Sequence, residues 1–167
     1  SRSSELLAER LVSNKYDVIV LDDNESDCTR IAENLSQVIV ICADPKDPKN
    51  IIDPVNQWGI TQAFGSPALW TRVGQHCEQT GDQMPTLKRV LSAGAPVPEH
   101  VLRRISQAIH PDGDIYTPYG ATEALPVAST SASEVLEETI TRSREGAGTC
   151  VGRRFSQIQW LSLIHIS

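Results

Sequence analysis

Two short runs of consecutive apolar residues, 18–21 and 38–42, constrain the fold more than any other feature of this chain. Each follows a stretch whose apolar residues recur at helical spacing, and continuous apolar strands between helices are typical of parallel sheets covered on both faces. The order of strand, turn and helix is repeated with strands near 60–64, 89–92 and 114–117. The sequence therefore predicts an α/β fold with a mostly parallel sheet and flanking helices.

Composition excludes two classes of partner. The chain has 167 residues, a formal net charge of −6 and a pI near 5.2, whereas nucleic-acid binding needs clustered Lys and Arg, so we expect no nucleic-acid partner. No apolar run approaches the roughly 20 residues that span a bilayer, so we expect no transmembrane segment. The four cysteines, Cys28, Cys42, Cys77 and Cys150, lie far apart in the sequence, and we expect reduced, mostly buried thiols in a cytoplasmic protein.

The amino-acid composition changes after the second apolar run. "DPKDPKNIIDP", residues 44–54, is rich in proline and aspartate, which is typical of a loop or linker. The final "SLIHIS" looks like translated sequencing adapter. The sequence therefore predicts a domain over 1–43, a second over 44–154, and an unstructured or artefactual tail over 155–167.

The turn in "SAGAPVP", residues 92–98, has almost no side-chain bulk. A flat ring could lie directly against the backbone at Gly94, Ala95 and Pro96, because glycine permits an approach that larger residues block. The alternative is a plain turn from a strand into a helix that begins at Pro96 or Pro98.

"YTPYGATEALP", residues 116–126, combines four residue types that suit a nucleotide. Tyr119 can stack on a base, Gly120 lets the chain turn, Thr122 can donate its hydroxyl to a phosphate oxygen, and Glu123 can ligate magnesium. The alternative is that Thr122 caps a helix and Glu123 lies in its first turn. If the strands before the two turns are parallel neighbours, both turns lie at one edge of the sheet, where α/β sheets bind ligands.

The segments "FGSPALW", "LKRVLSAGAPVPEHVLRRI", "YTPYGATEALPVA" and "GAGTCVGR" occur in this order. Together they resemble the AMP-binding, adenylate-forming enzymes of the acyl-CoA synthetase and luciferase superfamily, over about residues 45–153. The resemblance implies a partial subdomain of such an enzyme, with Gly148 and Gly152 in a turn. It further implies an adenine pocket lined by Gly94, Ala95 and Pro96, with Tyr119 and Gly120 at the base, an α-phosphate contact from Thr122, a magnesium ligand in Glu123, and an acyl pocket bordered by Gly65, Ser66 and Pro67.

The resemblance implies ATP-dependent activation of a fatty or 3-hydroxy fatty acid as acyl-AMP, with ATP/AMP and Mg²⁺ as cofactors. Within the superfamily it is a resemblance to the β-lactone synthetases of olefin biosynthesis and to acyl-CoA ligases. The superfamily's phosphate loop with its lysine, its ribose-binding aspartate and its C-terminal lysine have no counterpart in these 167 residues. We therefore expect the chain to be inactive alone.

Residues 5–43 resemble a different family, the NAD-binding regulatory domain of Trk-type potassium-uptake proteins, which is a Rossmann unit. The resemblance implies that Asp22, and less closely Asp44, holds a ribose of NAD, although no glycine-rich fingerprint precedes the first helix. The alternatives are solvated acids after a strand, or an α/β domain with no nucleotide site. Two unlike resemblances lead us to expect a chimera joined near 43–46.

Overall fold

The structure is a computed structural model, and it describes residues 2–121 and 124–159. The chain forms two compact units, Ser1–Ile51 and Ile52–Ser167. Helix α3 (Lys49–Trp58) contains the residues at which the first unit ends and the second begins.

The first unit alternates helices with a two-stranded parallel sheet, in the order that the apolar runs predict. Its small core contains Ala8, Val18, Ile31 and Val38, so both helices pack their apolar residues with the strands. The Rossmann-like character predicted for this region is not confirmed, because one parallel strand pair is common to many α/β folds. Its elements are α1 (Arg2–Ser13), β1 (Val18–Asp22), α2 (Glu25–Asn34) and β2 (Val38–Cys42).

The second unit is a five-stranded sheet with the strand order β3-β4-β5-β6-β7. Two helices connect its first three strands, as crossovers between parallel strands require. Its remaining elements are β3 (Gln62–Gly65), α4 (Pro67–Thr80), β4 (Arg89–Ser92), α5 (Glu99–Ala108), β5 (Asp114–Ala121), β6 (Ala124–Ser131) and β7 (Arg153–Arg154).

The sequence predicts a mostly parallel sheet, but the sheet of the second unit is mixed. The pairs β3-β4 and β4-β5 are parallel, but β5-β6 and β6-β7 are antiparallel. The physical reason is the length of the connection after β5. Ala121 pairs with Ala124, so only two residues separate the strands, which is a hairpin length, whereas a parallel partner needs a crossover of a dozen residues or more.

Helix α4 begins as its sequence predicts. The Ser66 hydroxyl accepts the Leu69 N–H, and Pro67 is the first helical residue. The helix ends at Gly81, whose φ of 81° is left-handed. Helix α5 packs on α4 closely enough that a Cβ on Gly74 would lie 3.0 Å from the Arg104 Cβ. This packing buries Trp70, Val73, Cys77, Val101, Leu102 and Ile105.

The segment after β6 is helical over 132–147 but irregular. Single α-turns at Ala132–Glu134 and Ile140–Arg142 alternate with π-helical turns at Val135–Thr139 and Ser143–Ala147. A capping box between Ser131 and Glu134 starts the segment. Within residues 2–121 and 124–159, no helix is both long and apolar enough to cross a bilayer.

Candidate functional site

Three parallel strands bring the predicted adenine and acyl turns to one edge of the second unit. Phe64, Leu91 and Tyr116 are partners across β3, β4 and β5, so these strands run level toward their carboxyl ends. The turns that follow Gly65 and Ser92 leave the sheet at that edge, while β5 runs on to Ala121. This is the position at which open α/β sheets bind ligands.

The turn after β4 has an open, glycine-dependent backbone. Gly94 has a φ of +100°, a conformation that other residues rarely adopt, and a Cβ built on it meets nothing within 4 Å. Gly94, Ala95 and Pro96 are all exposed. The backbone of this turn therefore has space beside it for a flat ring.

An exposed tyrosine lies near the end of β5, the strand that pairs with β4. Tyr119 is 48% exposed, and Gly120 and Ala121 are exposed as well. The pairing with β6 shifts its register here, between Tyr119 opposite Ala128 and Ala121 opposite Ala124. Such irregularities aim side chains away from the regular sheet, and glycine accommodates them.

Thr122 and Glu123, the predicted phosphate and magnesium residues, lie outside the described residues. The element that follows them in the chain is the strand Ala124–Ser131. Among residues 2–121 and 124–159, no three His, Cys, Asp or Glu side chains cluster as metal ligands would. The magnesium prediction therefore depends on Glu123 alone.

Two buried polar atoms lie close to the last residues of β3 and β4. Trp70 and Ser92 are each 1% exposed, and neither the indole Nε1 nor the Ser92 Oγ has a hydrogen-bond partner among the described residues. The Trp70 Nε1 is 3.0 Å from where a Cβ on Gly65 would lie, and Gly65 pairs with Ser92. Both donors are thus on one face of the sheet, beside the predicted acyl turn. No motif in the sequence indicates them.

Glu99 connects the adenine turn to the helical segment 132–147. It is the first residue of α5, directly after the turn, and it accepts hydrogen bonds from Arg103 Nε at 2.8 Å and from Arg144 Nη2 at 2.7 Å and Nε at 3.2 Å. The hydrogen bonds from Arg103 and then from Arg144 hold the pKa of Glu99 below its usual range. The Arg144–Glu99 ion pair thereby joins the helical segment to the start of α5.

In the first unit, Asp22 takes part in a local turn. Its carboxylate Oδ1 accepts the Asn24 N–H at 3.0 Å, and Asn24 in turn caps α2. Asp44 does the same for the Lys46 N–H at 2.8 Å. These contacts match the alternative of acids that stabilise turns after strands, and nothing in the described residues favours NAD at Asp22.

A sequence profile described as AMP-binding enzyme matches residues 34–158. The chain belongs to the AMP-binding enzyme family. This membership confirms the resemblance seen in the motifs of the second unit and extends it to the end of α2. The Trk-type resemblance of residues 5–43 has no support in these comparisons.

Individual members of the AMP-binding family show the same relationship. The chain is 47% identical to the olefin beta-lactone synthetase of Stenotrophomonas maltophilia over 106 residues. This aligned region covers 64% of this chain and 18% of the synthetase. It is 27% identical to the long-chain-fatty-acid–CoA ligase of Thermus thermophilus over 81 residues. This aligned region covers 48% of this chain and 14% of the ligase. The chain thus spans less than a fifth of these relatives.

The fold also resembles that of solved structures. The amide bond synthetase McbA from Marinactinospora thermotolerans superposes with a TM-score of 0.55 at 18% identity, over 82% of this chain and 26% of McbA. At this identity the match concerns the fold alone.

Proposed function

We propose that the carboxyl edge of β3, β4 and β5 holds the nucleotide and the acyl carboxylate of an ATP-dependent, adenylate-forming ligase. Its substrate class is a fatty or 3-hydroxy fatty acid, and its product type is that of a β-lactone synthetase or an acyl-CoA ligase. One observation carries this proposal: the strand register of an AMP-binding family member brings the turns after Gly65 and Ser92 to one edge.

The adenine ring would lie between the turn after β4 and the end of β5. The open side of Gly94, with Ala95 and Pro96 exposed beside it, offers backbone contacts to a flat ring. Tyr119 is exposed enough to stack on the base, and Gly120 lies at the register shift that aims it. Stacking of an aromatic side chain on a base contributes about 1 to 3 kcal/mol.

The phosphate end of the nucleotide is proposed for Thr122 and Glu123. Both follow Ala121 directly, so they continue from the strand that carries Tyr119. A threonine hydroxyl can donate to an α-phosphate oxygen, and a glutamate can supply an oxygen ligand to magnesium. Magnesium, when bound, would neutralise charge that develops on the phosphate as the carboxylate attacks it.

The acyl group would lie beside Gly65, Ser66 and Pro67. Phe64, Leu91 and Tyr116 form an apolar row across three strands, next to the carboxyl edge, and Phe64 is 64% exposed. Arg89 makes a cation–π contact with Tyr116, because the Arg89 guanidinium carbon lies 5.9 Å from the centroid of the Tyr116 ring. Phe64 is the exposed residue of this row, whereas Leu91 and Tyr116 are half-buried, and Phe64 supplies an apolar contact of the kind that a fatty acyl chain makes.

Catalysis by the 167 residues alone is a separate matter. The sequence contains neither the phosphate loop nor the lysines that the resemblance requires, so we propose that this chain binds nucleotide without releasing pyrophosphate. Incubation of the chain with ATP, Mg²⁺ and a 3-hydroxy fatty acid tests this directly. Pyrophosphate above the level of a heat-denatured sample would contradict it. We place the protein in the cytoplasm as part of this proposal, because ATP and free acyl substrates are present there.

Isothermal titration calorimetry, in which AMP is titrated into the purified chain, tests the nucleotide site. Tyr119→Ala is expected to weaken binding by roughly 5- to 100-fold, the equivalent of one lost stacking contact. Tyr16→Ala is the matched control, since Tyr16 is also exposed, at 54%, and belongs to the first unit. Equal effects of the two variants, or no binding of AMP to the unmodified chain, would reject the proposed site.

A further inference from the structure

Cys28 and Cys42 are 14 positions apart in the sequence, but both lie near Asp22 in the first unit. Cys42 is the last residue of β2 and pairs with Asp22, the last residue of β1. Cys28 lies in α2, which begins immediately after the turn that follows Asp22. The chain therefore brings both cysteines to the carboxyl end of the same strand pair, although sequence spacing alone predicts isolated thiols.

One carbonyl oxygen shows how close the two cysteines are. The Asp22 carbonyl oxygen accepts the Cys28 thiol at 3.4 Å and the Ala43 N–H, the amide directly after Cys42, at 3.0 Å. Burial first, and then the neighbouring Cys42 side chain, raise the pKa of Cys28 to about 11. The Cys28 sulfur therefore lies beside the end of β1, at the residue that pairs with Cys42.

The two thiols differ in their access to solvent. Cys42 is exposed, whereas Cys28 is buried. A dissolved oxidant therefore reaches Cys42 first, while the buried Cys28 keeps its proton at neutral pH and does not react with the oxidant itself. An exposed thiol next to a protected second thiol is the arrangement found in reversible redox pairs.

We propose that Cys28 and Cys42 are a redox pair that peroxide converts into an intramolecular disulfide. In the first step the Cys42 thiol is oxidised by hydrogen peroxide to a sulfenic acid, and one water is released. In the second step the Cys28 sulfur attacks the Cys42 sulfur, the S–S bond forms, the S–O bond breaks, and the hydroxyl leaves as water with the Cys28 proton. Two thiols are oxidised and one peroxide is reduced to two waters.

The disulfide would join the first turns of α2 to the end of β2. It would close a loop of the chain that includes Val38, one of the core residues of this unit, and so restrict the unfolded state. Reduction by a dithiol would reverse the change. The proposal concerns the first unit and is independent of the nucleotide site proposed for the second.

Thiol counting after peroxide treatment tests the pair. The chain is treated with hydrogen peroxide, denatured and alkylated with N-ethylmaleimide, and its intact mass is measured. The reduced chain, with four free cysteines, takes up four labels, and we expect the oxidised chain to take up two. Trypsin cuts after Lys15, Arg30 and Lys46, which places the two cysteines in separate peptides, so a cross-linked peptide identifies the bond.

Two sets of variants complete the experiment. The double variant Cys77→Ser with Cys150→Ser keeps only the proposed pair and is expected to form the same disulfide. Cys42→Ser is expected to leave Cys28 reduced, and Cys28→Ser to leave Cys42 as an over-oxidised acid without a bond. Uptake of four labels by the treated chain, or a disulfide that involves Cys77, Cys150 or a second copy of the chain, would overturn the proposal.

Discussion

Gly65 and Ser92 stand opposite each other in the parallel pairing of β3 with β4, as the last residue of each strand. Helix α4 covers the face on which their side-chain positions lie, since a Cβ on Gly65 would be 3.0 Å from the Trp70 Nε1 and 3.1 Å from the Leu69 Cδ2. The edge proposed for the nucleotide is thus supported by a close contact between strand and helix, which sets how much side chain each position can carry.

Gly65→Ala is expected to lower the free energy of unfolding by about 1 to 3 kcal/mol, because the added methyl group meets a tryptophan that is fully buried. Urea unfolding followed by circular dichroism measures the change. The double variant Gly65→Ala with Trp70→Phe should recover part of the loss, since phenylalanine lacks the indole atoms nearest the new methyl. Additive losses in the double variant would show that the contact is not the cause.

Ser92→Ala is expected to leave stability unchanged or to raise it by up to about 1 kcal/mol. The Ser92 hydroxyl is buried without a partner among the described residues, and removal of such a group relieves a desolvation cost. Ser131→Ala is the matched control, because Ser131 is also buried but accepts the Glu134 N–H as a helix cap. Its loss should cost about 1 kcal/mol. If both variants lowered the free energy of unfolding equally in urea, the Ser92 hydroxyl would not differ from the hydrogen-bonded Ser131 hydroxyl, and the prediction would be wrong.

Gly94→Ala should reduce AMP affinity roughly tenfold or more, because its methyl group occupies the space proposed for the adenine ring. Gly81→Ala is the comparison, since Gly81 has a similar positive φ and equally open space but ends α4. Both substitutions strain the backbone and should destabilise the chain by about 1 to 3 kcal/mol. Only Gly94→Ala should change the calorimetric dissociation constant, and a parallel effect of Gly81→Ala would argue against the site.

Glu99 is expected to make stability depend on pH. Its pKa is lowered in the folded chain by Arg103 and Arg144, so its contribution is present above the unfolded-state pKa and is lost as the pH falls through the folded-state pKa. Glu99→Gln should therefore unfold at lower urea concentration than the unmodified chain at pH 7, and the difference should disappear in acid. Added salt should shrink the difference at pH 7, because both arginines are more than half exposed. A difference that persists in acid would mean that packing, not charge, is responsible.

Much of the architecture was predictable from the sequence where local chemistry decides it. The apolar runs predicted β1 and β2, and "GSPALW" predicted the start of α4 because capping by Ser66 and the fixed φ of Pro67 are local effects. The AMP-binding family was predictable because its motifs occur in order. These features depend on neighbours within one turn or one strand.

The antiparallel half of the sheet was not predictable in the same way. Strand β6 consists largely of small and hydroxyl residues, which lack the alternation of apolar and polar side chains that marks a strand. The two residues between Ala121 and Ala124 are not the Asn-Gly or Asp-Gly pair of a typical hairpin. The position of Cys28 and Cys42 near the same residue, Asp22, and the burial of the Trp70 and Ser92 polar atoms depend on packing between distant segments, for which sequence spacing gives no signal.

Strand β5 is the boundary between two kinds of chain contact, and this has a kinetic consequence. On one side it pairs with β6 through a hairpin of adjacent residues, and hairpins form in about 1 to 10 μs. On the other side it pairs with β4 across helix α5, a more distant contact that must first overcome the entropy of closing a longer loop. The strand that carries Tyr119 is thus expected to gain its hairpin partner before the Gly94 turn reaches it, so that the nucleotide edge is completed late in folding.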